Sequence, residues 1–125
     1  MRWKRFFPLT KGLSTALARQ PCPKEPKSPH YTETLKQREL FAIRLKFPPH
    51  VVVEPHIHTE DEVVTVIEGN IVIGFGDVLD PSKAKSFTAS GFYVIPAKTY
   101  HFVSVGDKGA TIQINSNGPW TVGFK

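Results

Sequence analysis

From Thr34 onward apolar and polar positions alternate in short bursts, and the period is two. Phe41, Ile43, Leu45 and Phe47 are separated by Ala42, Arg44 and Lys46, which predicts a strand with one face buried and one in water, ended by Pro48-Pro49. Val51-Val52-Val53 predicts a second short strand. Two apolar runs, Glu62 to Glu68 and Ile71 to Phe75, are joined by Gly69-Asn70, and glycine takes the positive φ of a tight turn without strain. A two-residue hairpin is expected there. Gly76 to Ser90 reads as a polar connection with a turn at Asp80-Pro81-Ser82 and a short strand around Ser86 to Thr88. Phe92 to Ile95 predicts a strand stopped by Pro96-Ala97-Lys98-Thr99. His101 to Val105 and Thr111 to Asn115 predict two more around the turn Gly106-Asp107-Lys108-Gly109, and Trp120 to Phe124 a last extended piece. Seven or more short strands with no helical pattern indicate an all-β, antiparallel sandwich or barrel.

The first 30 residues carry no such pattern. Pro8, Pro21, Pro23, Pro26 and Pro29 interrupt them, so the expectation is a flexible tail over 1–30 and one folded domain over 31–125. Residues 1–24 hold six basic side chains and no acid, as a mitochondrial presequence does, and Leu9, Leu13, Ala16 and Leu17 give a weak helical stripe. A secretory leader fits less well, because Pro8 and Lys11 break the apolar core that should precede Ala16-Leu17-Ala18. With the tail uncleaved, a cytoplasmic protein is expected.

The net charge of +5 resides in that tail, since residues 25–125 hold ten basic against eleven acidic side chains. The folded part therefore lacks the basic surface a nucleic-acid partner needs, and no apolar run is long enough to span a bilayer. Cys22, the only cysteine, excludes an internal disulfide, and its place between two prolines makes it a poor catalytic thiol.

The chemistry concentrates in Pro55-His56-Ile57-His58-Thr59-Glu60-Asp61-Glu62. In an unbulged strand His56, His58 and Glu62 fall on one face. Two imidazoles and a carboxylate suit one divalent first-row cation such as iron, manganese, nickel or zinc. A fourth ligand must come from elsewhere, and His101, just beyond a proline turn, is the candidate a barrel can bring opposite. Asp61 is out of phase, Glu60 belongs to the turn, Glu68 reads as solvated, and His30 and His50 stand away from the cluster. Tyr93, Tyr100 and Phe102 are candidates to line a cavity, with core packing as the alternative.

These residues resemble the cupins. The family's first motif, HxH, three or four residues, Glu, six residues, Gly, is met by His56-Ile57-His58, Glu62 and Gly69, with Val-rich sequence and His50 in place of its leading glycine. Its second is met in part by Gly91, Pro96-Ala97-Lys98 and His101, with Lys98 in place of a glycine, Val105 in place of an asparagine and Gly91 one residue close. The ending Gly118-Pro119-Trp120 also looks like small single-domain bacterial cupins. The resemblance covers roughly residues 40–124. It implies a jelly-roll-like cupin β-barrel, one metal held by His56, His58, Glu62 and His101, a small-molecule ligand or substrate, and frequent homodimers. Two functions compete. One is a metal-dependent enzyme, foremost a dioxygenase-type oxidoreductase using the open metal positions; the other is a non-catalytic metal- or ligand-binding sensor or regulatory module.

Overall fold

A computed structural model describes Phe6–Phe7 and residues 36–125. In chain order its strands are β1 (Phe6–Phe7), β2 (Leu40–Phe47), β3 (Val52–His58), β4 (Glu62–Phe75), β5 (Ala84–Thr88), β6 (Phe92–Ile95), β7 (His101–Asn117) and β8 (Val122–Phe124). A 3-10 turn, Pro81–Lys83, precedes β5, and Asp80 caps it by accepting from the Ser82 backbone N–H at 3.0 Å.

Two of these strands are far longer than their sequence pattern predicts. β4 runs for 14 residues and β7 for 17, antiparallel to one another along their whole length. Neither the hairpin expected at Gly69-Asn70 nor the one expected at Gly106 to Gly109 forms. The chain bends there instead, through register shifts between Val66 and Glu68 and between Gly69 and Ile71. The first shift adds one residue to β4 and the second adds three to β7, where residues 106–109 stand against Asn70 alone, and an odd insertion exchanges a strand's faces. Val64 and Val66 face inward before the bend and Ile71 and Ile73 after it; in β7 the inward set passes from Val103 and Val105 to Ala110, Ile112 and Ile114. Gly69 has φ +78, and a Cβ on it would lie 2.1 Å from the Gly109 carbonyl oxygen, so the bend requires glycine for both conformation and space.

Because both long strands bend, each belongs to two sheets. In one, β5 pairs with the second half of β4, then the first half of β7, β3 and β8 follow. In the other, β6 pairs with the first half of β4, then the second half of β7, β2 and β1 follow. Branched aliphatics and phenylalanines from both sheets fill the space between them. Each such side chain stabilises by about 1.5–3 kcal/mol on burial.

β1 lies parallel to β2, with Phe6 opposite Ala42 and Phe7 opposite Ile43, a pairing the expected tail did not include. The rest of that segment, with Cys22, His30 and the candidate targeting stretch, lies outside the described residues. Among the described residues no helix is long and apolar enough to cross a membrane.

Candidate metal centre

His56, His58 and Glu62 do not share one strand. β3 shifts register between Val53 and His56, ends at His58, and hands over through the Thr59–Asp61 turn to Glu62, which opens β4 in the facing sheet. The turn does what the expected straight strand could not, because it brings the carboxylate across the interior toward the imidazoles. His101 opens β7 directly opposite His56.

The ring nitrogens of His56, His58 and His101 lie within 4.8 Å of one another, and all three side chains are buried. The Glu62 carboxylate lies beside two of them: its Oε2 stands 3.6 Å from His58 Nε2 and 4.0 Å from His101 Nε2. Each imidazole has its Nδ1 against a backbone carbonyl, His56 on Glu54 at 2.7 Å, His58 on Thr121 at 3.0 Å and His101 on Thr99 at 3.0 Å. A carbonyl can only accept, so Nδ1 carries the proton and Nε2 keeps its lone pair for the interior.

Burial decides the charges. Desolvation, with repulsion from His101, holds His56 down at about 4, and desolvation with repulsion from His56 and His101 holds His58 at about 3. His101 is lowered as well, again by burial. Glu62 is pushed up to about 8 by burial, partly offset by the Trp120 indole N–H that donates to its Oε1 at 3.0 Å. The pocket thus favours neutral ligands and holds its one carboxylate protonated until a positive charge enters. The donor set fits a first-row divalent cation. Bonds of about 2.0–2.2 Å put adjacent donors about 3 Å apart and opposite ones about 4 Å apart, slightly closer than they stand here.

The donors form one wall of a cavity of about 40 Å³. Among the described residues branched and aromatic side chains form the rest, and beyond the donors only Tyr93 and Trp120 bring polar atoms to the lining. Tyr93 lines the cavity as expected, and burial together with the Glu62 carboxylate raises its phenol so that it stays protonated. Tyr100 and Phe102 do not line it. With His101 facing in, Phe102 faces the other side of β7, packed over Gly74.

Of the remaining candidates, Asp61 accepts from the Ala97 backbone N–H at 2.7 Å and so anchors the Pro96–Thr99 turn. His50 is exposed beside Pro49. Lys98 adopts φ +57, the conformation glycine favours, and its N–H donates to the His58 carbonyl at 2.8 Å. The turn therefore keeps its shape with a lysine, at a cost of about 1–2 kcal/mol. Sequence reasoning missed Trp120, which stacks on His58 with centroids 4.4 Å apart and planes 13° apart. In the sequence it is only the first residue of the piece Trp120 to Phe124 expected to be extended, whereas the strand begins at Val122.

No family model and no curated relative matches the sequence. Solved structures do. Oxalate oxidase, including its complex with glycolate, superposes with a TM-score of 0.57 at 26% identity over 68% of this chain and 45% of that one. The polyketide cyclase RemF from Streptomyces resistomycificus gives a TM-score of 0.60 at 14% identity, over 70% of this chain and 61% of that one. The chain has the cupin fold. An oxalate decarboxylase variant from Bacillus subtilis carries a similar cupin barrel, with a TM-score of 0.55 and 17% identity over 65% of this chain. The match spans less than half of the oxidase and 22% of the decarboxylase, so this chain corresponds to a part of each.

Proposed function

We propose that this cupin binds one divalent cation through His56, His58, Glu62 and His101 and acts as an oxygen-dependent oxidoreductase on a small carboxylic acid. The observation that carries the reading is a cluster of three buried imidazoles, each with Nδ1 against a backbone carbonyl, with a buried carboxylate beside two of them. A bound iron, manganese or nickel ion would supply Lewis acidity and open coordination positions for substrate and dioxygen. The chain's own groups supply the rest. The apolar walls exclude bulk water, and among the described residues the Tyr93 hydroxyl is the one neutral donor on the lining outside the ligand set and its indole neighbour. It would orient the bound acid. A cavity of about 40 Å³ suits an acid of few heavy atoms, and the likeness to oxalate oxidase, seen with glycolate, names the class to try first.

The second reading, a non-catalytic metal- or ligand-binding module, is favoured by one feature: among the described residues no acid or base other than the donors and Tyr93 lines the cavity. Metal analysis of protein purified without added metal, followed by oxygen uptake with oxalate, glycolate and related acids, separates the two. Turnover dependent on one bound ion supports the enzyme. Tight zinc binding with no turnover on any acid supports the module.

Assembly as a homodimer belongs to the same proposal. Val63, Phe92 and Val94 stand exposed on paired positions of β4 and β6, an apolar face that a second copy would cover. Sedimentation equilibrium of the parent and of Phe92→Lys tests it, with a shift to monomer expected in the variant.

A further inference from the structure

Two of the four donors are held by a segment that the motifs do not include. A carboxylate has two equivalent oxygens, and rotation exchanges them. In Glu62 the choice is made by Trp120, whose Nε1–H donates to Oε1 at 3.0 Å and leaves Oε2 facing His58 and His101. The indole is a donor only, so it cannot compete as a ligand. The same ring lies flat on the His58 imidazole and blocks its rotation, while the carbonyl of the next residue, Thr121, accepts from His58 Nδ1 at 3.0 Å.

The segment is fastened in turn by one hydroxyl. Thr59 Oγ1 donates to the Pro119 carbonyl at 2.7 Å and accepts from the Thr121 N–H at 3.1 Å, spanning the tryptophan. Phe41 meets the indole edge-on with centroids 6.1 Å apart. Thr59 is exposed and follows His58 directly, so the fastening sits outside the apolar core.

We propose that the strap Pro119-Trp120-Thr121, fastened by Thr59, is a positioning device that fixes which oxygen of Glu62 and which nitrogen of His58 face the cation. The inference rests on the metal-binding reading. Trp120 acts through Glu62 and is not itself a ligand; its N–H, and not only its bulk, sets the carboxylate.

Cobalt(II) titration followed by visible absorption of the full chain tests this. Trp120→Phe keeps an aromatic face and removes the N–H, and affinity should fall about tenfold or more with a changed cobalt spectrum, as loss of an outer hydrogen bond to a ligand does. In a Glu62→Ala background the same substitution should cost almost nothing, because its target is gone. Equal losses in both backgrounds would make the indole a mere wall and overturn the inference. Thr59→Val, which preserves shape and lies outside the core, should weaken cobalt binding several-fold at an unchanged melting temperature of the metal-free protein. Parental affinity in that variant overturns the proposal even if Trp120→Phe fails to fold. A parent that binds no cobalt, manganese, nickel or zinc overturns the metal reading itself, and the strap's role with it.

Discussion

His56 and His101 are each held by a carbonyl two residues back in their own strand entry, whereas His58 and Glu62 depend on partners 63 and 58 residues away. The first pair is oriented as soon as its local backbone forms. The second is oriented only when the C-terminal strap has closed over the barrel, a long-range contact whose loop-closure entropy other contacts must offset. Half of the centre is thus built locally and half by the completed fold.

The largest test of that division removes donors outright. His56→Ala, His58→Ala and His101→Ala should each weaken metal binding by more than about 100-fold, since a missing ligand is equally missing however it was held. His50→Ala should leave affinity unchanged. Calorimetric metal titration checks both, and a tight His101→Ala variant would dissolve the centre. Glu62→Gln is the next step down, with about a 10- to 100-fold loss, because the amide keeps size while removing charge.

Acidity sharpens the comparison. All three histidines are lowered against 6.5 in the unfolded chain, so their contribution is present above pH 6.5 and is lost as pH falls below it, through about 4 for His56 and about 3 for His58. Glu62 is raised from 4.5 to about 8, so its contribution is lost as pH rises from 4.5 to 8. Three histidines outweigh one carboxylate below pH 6.5, and the carboxylate acts alone above it. Metal-free protein should therefore be most stable near pH 6.5, and the gain in melting temperature on metal loading should widen from there to pH 8. A gain that stays constant over that range would contradict the buried-carboxylate assignment.

The smallest effects are expected away from the donors. Lys98→Gly relieves a left-handed lysine and should stabilise by no more than about 1 kcal/mol with metal affinity unchanged. Deleting residues 1–30 removes the two-residue pairing of β1 and should change stability by about 0.5 kcal/mol in chemical denaturation.

Much of the fold was legible because alternation over residues 41–47 reports a buried face directly and the apolar run 92–95 marks a strand, and β2 and β6 fall there. Gly69-Asn70 was misread for a physical reason. A two-residue turn and a glycine bulge leave the same local signature, apolar runs on either side of a residue with positive φ, and only pairing with β7 distinguishes them. The four donor candidates were legible as residue types at motif spacing. Their supports were not, because an indole donating across 58 residues leaves no periodic trace.

One contact near the centre bears on how such chains vary. A Cβ on Gly74 would stand 1.9 Å from the Phe102 ring, and Phe102 directly follows His101 on the paired strand. Neither position can drift alone. A side chain at 74 would lever the ring and, through one peptide unit, the imidazole beside it, while a small residue at 102 would leave a hollow over bare backbone. Across sequence variants of this chain the two positions should covary, glycine inherited with the aromatic, so that a double substitution survives where either single one fails.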